Sequence, residues 1–187
     1  MSLPAPPRSL AVALVHAPVL NKKGECIEAC CDEFDFFDLA RLVRAYPIAG
    51  LWIVQPVPAQ QALVRRLITH VESEDRRAQG REPLRGTALV SSLEEAIEAT
   101  TEHFGRPPQV VSTSAKRVDP VRTFSELRGE LAAGAPTLLL IGKAWGLAPA
   151  AHALADARLE PIDTGTDWAH LSVRTAAAIL IDRLLRP

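Results

Sequence analysis

The sequence predicts an α/β fold with a mostly parallel six-stranded sheet that helices cover on both faces. Apolar runs of strand length alternate along the chain with segments whose apolar residues recur at helical spacing. Some strand-like runs, such as PTLLLIG at residues 136–142, are almost wholly apolar. Such runs are typical of parallel strands, because the helices that connect them bury both faces of the sheet.

Six short runs, each bounded by turn-forming or polar residues, are predicted as strands. They are SLAVALVHA (9–17), LWIVQ (51–55), TALVSS (87–92), QVVSTSA (109–115), PTLLLIG (136–142) and ARLEPI (157–162). The segments between and after them are predicted as helices. These are FFDLARLVRAY (36–46), AQQALVRRLITHV (59–71), SLEEAIEATTEHF (92–104), TFSELRGELA (123–132), GLAPAAHALA (146–155) and HLSVRTAAAILIDRLL (170–185).

Local signals support three of the helices. Ser92 and Glu95 have the spacing of a capping box at the start of the third helix. In the second helix we expect the apolar face to consist of Ala62, Leu63, Leu67, Ile68 and Val71. In the last helix Ser172 is the predicted N-cap. The apolar stripe behind it is predicted to be Val173, Ala176, Ala177, Leu180, Ile181 and Leu184.

The 187 residues suit one domain with a substantial core. The proline-rich start, MSLPAPPR, is predicted to be a flexible N-terminal tail over residues 1–8, which leaves residues 9–187 as a single domain. The polar stretch ESEDRRAQGREPLRG, at residues 72–86, is predicted to be a mobile surface loop.

Composition excludes several classes of protein. The 21 basic and 22 acidic residues give a net charge of -1, so no strong overall field predicts a nucleic-acid partner, although a local patch remains open. The longest apolar candidate, LAVALV at residues 10–15, is far shorter than the ~18–20 residues of a membrane-spanning helix. Because no cleavage site follows it, we predict a buried strand in a cytoplasmic protein.

The three cysteines, Cys26, Cys30 and Cys31, crowd into the segment CIEACC. Zinc sites use paired spacings with further cysteine or histidine partners, which do not stand nearby, so no metal site is predicted. An odd number of cysteines without a secretion signal does not favour a disulfide framework. We expect small side chains that are buried or half-buried.

Ligands of open parallel sheets bind at the carboxyl ends of the strands. Three predicted strands end in residues that could contact a ligand. One is followed by Ser112, Thr113 and Ser114, one by Gly142 and Gly146, and one by Pro161 and Ile162. Hydroxyls and glycines in such places also satisfy backbone groups and form turns. The segment LIGKAWGL lacks the third glycine of a dinucleotide fingerprint and the Gly-Lys-Ser/Thr of a phosphate loop, so ligand binding and a plain turn both remain open.

A resemblance to a known family favours ligand binding over a plain turn. The segments LLLIGKAWGL, LEPI and HLSVRTAAAILIDRLL resemble the cofactor-binding half of the SPOUT superfamily, the knotted RNA methyltransferases. More narrowly, VALVHAPVLNKKGE and DLARLVRAY resemble the start of a bacterial family of SAM-dependent RNA methyltransferases. The similarity extends over nearly the whole chain from Ser9 onward.

The resemblance implies a C-terminal trefoil knot, in which the last helix passes beneath the GKAWGL segment. True knots are almost absent from other folds. The three alanines Ala176–Ala178 keep the first turns of this helix narrow, which suits a helix enclosed by a loop. Members of the family are homodimers, whose active sites form where the last helix and neighbouring elements of two chains meet.

The resemblance also implies S-adenosylmethionine (SAM) as the cofactor, bent among the three loops that follow the strands. An apolar pocket lined by backbone suits adenine, because its edge needs amide partners and its faces need contact area. The implied cofactor-binding residues are Thr113, Ser114, Ile141, Gly142, Gly146, Leu147, Ile162, Leu171, Ser172 and Ala177.

The first helix departs from the family pattern at some positions. The segment DEFDFFDLAR retains Asp35, Asp38 and Arg41, whereas a Thr-Asn pair has become Asp32–Glu33 and a histidine has become Phe37. The other departures are Ala169, in place of an asparagine, and GREPLRG, a reduced form of the family's basic loop. The added carboxylates oppose the approach of RNA phosphates.

Two residues are candidates for catalysis. Arg41 is predicted to contact the RNA or the acceptor, and the alternative is a helix-surface ion pair with Asp38. His170 is a candidate base, because histidine exchanges protons near neutral pH, and the alternative is a hydrogen bond to the GKAWGL segment.

Three hypotheses follow from the sequence. The first is a SAM-dependent methyltransferase that acts on tRNA or rRNA. The second is a non-catalytic SAM- or RNA-binding paralogue that keeps the knot, which the altered residues of the first helix motivate. The third is an unknotted, doubly wound domain that binds a nucleotide.

Overall fold

The computed structural model describes residues 9–71, 86–168 and 170–186. The predictions for the tail (1–8), for residues 72–85 of the predicted loop 72–86, for the side chain of Val71 and for Ala169 therefore lie outside the described residues. Six strands form the main sheet, in the order β5-β4-β1-β7-β6-β8, and every neighbouring pair is parallel. They are β1 (Leu10–Val15), β4 (Ile48–Val54), β5 (Thr87–Val90), β6 (Gln109–Ser112), β7 (Thr137–Gly142) and β8 (Ala157–Arg158).

Six helices accompany the sheet in the described parts of the chain. They are α1 (Glu33–Ala45), α2 (Pro58–Val71), α3 (Leu93–Phe104), α4 (Phe124–Ala132), α5 (Pro149–Ala153) and α6 (Val173–Leu185). None of the helices in these parts is long and apolar enough to cross a membrane.

The central strand, β1, divides the core into two layers, because successive side chains of a strand point to opposite faces. Leu10, Val12 and Leu14 lie in one buried cluster with side chains of α1, α4 and α6. Ala11 and Ala13 lie in the other, with side chains of α3 and α5. The predicted parallel sheet, covered by helices on both faces, is confirmed.

The helix α6 lies against α1 and α4 and is held at its C-terminal end. The Tyr46 hydroxyl donates to the Asp182 carboxylate over 2.8 Å. The Arg128 guanidinium donates twice to the Arg183 carbonyl, over 3.0 and 2.6 Å. This second contact satisfies a carbonyl that the last turn of a helix leaves without a backbone partner.

The structure corrects several boundaries. The predicted strand ARLEPI shortens to Ala157–Arg158, the predicted helix GLAPAAHALA shortens to Pro149–Ala153, and β4 begins at Ile48 instead of Leu51. An antiparallel hairpin of β2 (Val19–Leu20) and β3 (Cys26–Ile27) was not predicted. Its strands are two residues long, too short for a periodic pattern.

Two predictions about burial were wrong in part. Ala62 and Leu63 of α2 are exposed, whereas Val64 is buried and Leu67 and Ile68 pack against the core. The apolar residues of α2 fit two overlapping helical faces, and only contact with the sheet chooses between them. Of the cysteines, Cys31 is buried as expected, but Cys26 and Cys30 are exposed.

Candidate functional site

Three loops meet at the carboxyl edge of the sheet, because β7, β6 and β8 are neighbours. The Thr113 hydroxyl, just after β6, donates to the Leu140 carbonyl of β7 over 2.8 Å. On the other side of β6, the Leu159 N–H donates to the Ser112 carbonyl over 2.9 Å. Ile162 follows three residues later, half-buried against the core. The loops that the sequence singled out therefore share one edge of the sheet.

The segment after β7 turns back sharply on itself. A Cβ atom added to Gly142 would lie 2.6 Å from the Leu147 nitrogen and 2.9 Å from the Gly146 carbonyl carbon, closer than side chains approach backbone. Ala144 and Gly146 both have positive φ, of 53° and 98°. Only glycine fits at position 142, because the returning backbone occupies the space of a side chain.

Backbone hydrogen bonds hold this turn to the start of the chain. The Lys143 N–H donates to the Val15 carbonyl over 3.0 Å. Leu20 of the short hairpin donates to the Gly146 carbonyl over 2.9 Å and accepts from the Trp145 N–H over 3.0 Å. The turn is therefore anchored on one side to β1 and on the other to β2.

The remaining predicted cofactor residues occupy two kinds of position. Ser114, Gly142, Gly146 and Leu171 are half-buried at the edge of the sheet. Ile141 and Leu147 are each 3% exposed, and Ala177 is fully buried in the core, so these three lie beneath the surface. Ala177 therefore packs α6 against the sheet, which is the structural alternative to lining a ligand site.

Ser172 begins α6 as predicted. Its hydroxyl accepts from the Thr175 N–H over 3.2 Å and lies 2.9 Å from the Thr175 hydroxyl. An N-cap of this kind satisfies one of the free N–H groups of the first turn. It also sets the start of α6 next to Leu171, at the end of the third loop.

A network of charges joins α1 to the turn after β7 and to α6. Asp32, Asp35, Asp38 and Arg41 follow at intervals of three residues and so share one side of α1. Asp35 is central: its carboxylate lies 2.6 Å from the Lys143 ammonium and 3.1 Å from Nε of Arg174. Asp32 also pairs with Lys143, and Asp38 pairs with Arg174 over 3.1 Å.

Burial and pairing shift the pKa values in this network. Burial is the largest influence on each group. It raises the pKa of Asp35, although Lys143 opposes the rise. Burial would also raise the pKa of Asp32, but hydrogen bonds from the Lys143 ammonium and the Asp35 N–H hold it at about 2. The pKa of Lys143 lies above its usual value despite burial, because both carboxylates bond to it.

A buried histidine stands beside this network. His16 follows β1, is 2% exposed, and places Nδ1 3.2 Å from the Val54 carbonyl. Burial, and then the charge of Lys143, lower its pKa to about 4. The imidazole is therefore neutral at physiological pH.

The structure shows which contacts the two catalytic candidates make. Arg41 forms the expected alternative contact, an ion pair with Asp38 over 3.0 Å, while its side chain remains 72% exposed. His170 stacks on Trp145, with ring centroids 4.7 Å apart and planes at 27°. The contact between His170 and the GKAWGL segment in the described structure is thus ring stacking, in place of the hydrogen bond that we expected.

Arg41 lines a shallow groove of about 650 Å³ between α1 and α6. Asp38, Leu42 and Ala45 line it from α1, and Ser172, Arg174, Thr175 and Ala178 from α6. His170 is not among the residues that line this groove and instead contacts the rings of Trp145 and Trp168. The two catalytic candidates are therefore in different surroundings.

Among the described residues, no group of three or more His, Cys, Asp and Glu side chains is arranged to hold a metal ion.

The sequence interpretation assigned no role to Lys143, Asp35 or Arg174. A signal for them was present: three aspartates at intervals of three residues precede an arginine on one helix face, and Lys143 directly follows a buried strand. Nothing in the sequence, however, indicates that α6 brings Arg174 to the same face of α1.

Together these observations define an α/β domain with a parallel sheet, whose loops converge at its carboxyl edge beside a sharp glycine turn and a capped C-terminal helix. A family model described as "SAM-dependent RNA methyltransferase" matches residues 9–186. The chain belongs to this family.

Relatives and solved structures agree with this assignment. A protein of Oleidesulfovibrio alaskensis named tRNA (guanine-N(1)-)-methyltransferase is 38% identical over 96% of this chain, but the match covers 43% of that protein. An uncharacterised protein of Aquifex aeolicus is 36% identical over 92% of this chain and 86% of its own length. The chain thus spans less than half of the first relative, whose name describes a longer protein.

Two solved structures show the same fold. The TrmH/SpoU tRNA modifying enzyme of A. aeolicus has a TM-score of 0.58 at 15% identity, with 95% of this chain and 74% of that chain covered. The SpoU methyltransferase AviRb of Streptomyces viridochromogenes, in complex with AdoMet, has a TM-score of 0.57 at 19% identity, with 97% and 58% covered. Both belong to the SPOUT class that the sequence resembles. At these identities the similarity concerns the fold alone.

Proposed function

We propose that this protein transfers a methyl group from SAM to a nucleotide of tRNA or rRNA. The observation that supports this proposal is the convergence of the three loops at one edge of the sheet. There the turn at Gly142 meets the loop that ends at Ser172. The family assignment and the AdoMet-bound structural neighbour support SAM as the ligand of this edge.

The residues at this edge fit an adenosine group. Ile162 and Leu171 offer half-buried apolar surface, and the small residues Gly142, Gly146 and Ser114 leave room beside them. Adenine needs this combination of contact area and nearby backbone groups. We propose Thr113, Ser114, Gly142, Gly146, Ile162, Leu171 and Ser172 as the residues that hold the cofactor, with Ile141, Leu147 and Ala177 packing beneath them.

The bound cofactor supplies a methyl group on a sulfonium, so the protein has mainly to position the acceptor in line with it. Arg41 is proposed to contact the RNA near the reacting atoms, because it is 72% exposed at the rim of the α1–α6 groove. Asp38 orients it. His170 is proposed as the group that accepts a proton when the acceptor is a hydroxyl or a ring nitrogen.

Three further features belong to the proposal. The last helix is proposed to pass through a trefoil knot, since the SPOUT class has this topology. Two chains are proposed to form a homodimer in the cytoplasm, and residues 1–8 to be a tail that precedes a single domain.

The experiment that tests the proposal has two steps. Calorimetric titration with S-adenosylhomocysteine should show one site per chain. Total RNA from cells that lack this protein should then accept labelled methyl groups from SAM, and the modified nucleotide can be identified by mass spectrometry. Cofactor binding without methyl transfer to any RNA would select the non-catalytic paralogue. No cofactor binding at all would contradict the methyltransferase and would leave only the RNA-binding form of the paralogue.

A further inference from the structure

Three aromatic rings lie together on the surface beside the proposed cofactor loops. Trp145 belongs to the turn after β7, and Trp168 and His170 belong to the loop before α6. His170 stacks on Trp145 at 4.7 Å, and Trp168 meets His170 edge to face at 6.3 Å. Trp145 is 51% exposed and Trp168 is 70% exposed. Single apolar side chains are common on protein surfaces, but aromatic rings in contact with one another form a patch of the kind that marks an interaction site.

The backbone holds this cluster in place. The Trp145 N–H is bonded to Leu20, as described above. On the other side, the Trp168 carbonyl accepts from the Thr164 hydroxyl over 3.2 Å, and its N–H donates to the Thr166 hydroxyl over 3.3 Å. The Asp163 carboxylate, which accepts from the Gly165 N–H over 2.8 Å, closes the same turn. The backbone that carries Trp145 and Trp168 is therefore held by hydrogen bonds, so a ligand that stacks on the rings need not order this backbone.

Positive charge stands next to the cluster. Lys22 and Lys23 are exposed on the hairpin turn, two and three residues beyond Leu20, which bonds to Trp145 and Gly146. At the length of an extended residue, their backbone lies within roughly 11 Å of Leu20, the residue that bonds to Trp145. Asp163 and Asp167, in the loop before Trp168, place two exposed carboxylates at the opposite end. A polyanion would therefore meet the lysine side of the cluster.

We propose that Trp145, Trp168 and His170 form a platform on which an unpaired base of the RNA substrate stacks, while Lys22 and Lys23 contact the adjacent phosphates. Aromatic rings beside a basic turn are the combination with which proteins hold single-stranded nucleic acid, because every base has a π-face. This inference rests on the proposed function and specifies its substrate: a loop or a flipped nucleotide rather than a continuous duplex.

The test uses the full chain with S-adenosylhomocysteine present and a fluorescein-labelled oligoadenylate of twelve nucleotides as the probe. Fluorescence anisotropy gives its affinity. Trp168→Ala should weaken binding about 5- to 100-fold, the usual loss when a stacking ring is removed. Trp168→Phe should stay within about threefold, because the ring face is kept. The control is Trp52→Phe, since Trp52 donates to the Thr100 hydroxyl away from the cluster.

The lysines are tested by salt dependence. Each phosphate contact contributes about 0.7 to the slope of log affinity against log salt for a single strand, so Lys22→Gln with Lys23→Gln should lower the slope by about 1.4. Oligoadenylate paired with oligouridylate should bind more weakly than the single strand.

Several outcomes would overturn the platform. They are unchanged affinity of Trp168→Ala, equal affinity for the duplex, absence of binding to the single strand, or conversion of a dimer to monomers by Trp168→Ala, which would make the rings a subunit contact. Each is distinguishable from failure of the proposed function, because cofactor titration and methyl transfer by the unaltered protein are measured separately.

Discussion

His16 is an almost fully buried imidazole whose pKa lies at about 4, below its ordinary 6.5. Between these two pH values the unfolded chain binds a proton that the folded chain excludes, so the free energy of unfolding falls as the pH is lowered through this window. The full loss is on the order of 3 kcal/mol at about 1.4 kcal/mol per pKa unit. Urea unfolding at pH 4 to 7 measures it.

The variant His16→Asn can still donate to the Val54 carbonyl but does not titrate, so its stability should change much less over this range. Exposed His103 provides the matched control, and His103→Asn should keep the slope of the unaltered protein. Asp32 does not add to the change in stability between pH 4 and 7. Its pKa is about 2, below its ordinary 3.8, so its contribution is lost only at still lower pH. Parallel curves for the unaltered protein and His16→Asn would show that another group is responsible.

Gly142 and Gly129 form a matched pair of glycines. A methyl group at Gly142 would meet backbone atoms at 2.6 and 2.9 Å, whereas nothing lies within 4 Å of one at Gly129 in α4. Gly142→Ala should therefore destabilise the fold by about 1–3 kcal/mol or more and weaken the binding of S-adenosylhomocysteine. Gly129→Ala should stabilise it by roughly 0.5–1 kcal/mol and leave binding unchanged. Thermal unfolding and calorimetry distinguish the two; equal effects would show that the turn after β7 relaxes freely.

At the scale of single residues, local chemistry was predictable and long-range pairing was not. Ser172 was identified as an N-cap because its hydroxyl reaches only three residues along the chain. Lys143 and Asp35 were missed because the fold, not the sequence spacing, brings them within 2.6 Å. The same holds for His170, whose stacking partner Trp145 is distant along the chain.

Among the elements, α1 is tied to two others through Asp35, which contacts Lys143 after β7 and Arg174 on α6. Lys143→Met would leave two neighbouring carboxylates without their shared cation, one of them 10% exposed. We expect a loss of about 2–4 kcal/mol in the free energy of unfolding. In a double-mutant cycle with Asp35→Asn the coupling energy should be about 1–3 kcal/mol.

The exposed pair Arg117–Asp119, over 3.1 Å with side chains 55% and 68% exposed, is the matched control for this cycle. Arg117→Gln should cost less than about 0.5 kcal/mol, because solvent screens such pairs. A coupling energy between Lys143 and Asp35 as small as this would mean that the network does not hold the turn to α1.

Elements with a strong internal pattern were predicted well, and those that depend on their neighbours were not. The strand β7 is apolar after its first residue, Thr137, and was predicted within one residue. The hairpin of β2 and β3 exists because Leu20 pairs with Trp145 and Gly146, which lie far along the chain. For α2 the helix was predicted correctly but its buried face was not, because only contact with the sheet places Val64 in the core.

For the whole molecule, the resemblance implies a subunit contact at the last helix, so we expect the proposed dimer to cover the Ala45 end of the groove between α1 and α6 and to leave Arg41 at its rim. Ala45 is exposed in its lining. Ala45→Arg places a long cation there, and we expect light scattering with size-exclusion chromatography to show a monomer in place of a dimer. Ala62→Arg, at an exposed position of α2 outside the groove, should remain dimeric. A monomeric unaltered protein, or a dimeric Ala45→Arg variant, would contradict the proposed interface.

The position of β1 between β4 and β7 has a consequence for biosynthesis. Its first residue, Leu10, pairs with Ile48 on one side but with Thr137 on the other. One of the two edges of β1 therefore has no partner until β7 has been synthesised. At roughly 5–20 residues per second, a ribosome needs on the order of 10 s to synthesise the interval. During that time an apolar strand edge is exposed on the nascent chain, and a chaperone that shields such edges would raise the yield of the folded protein.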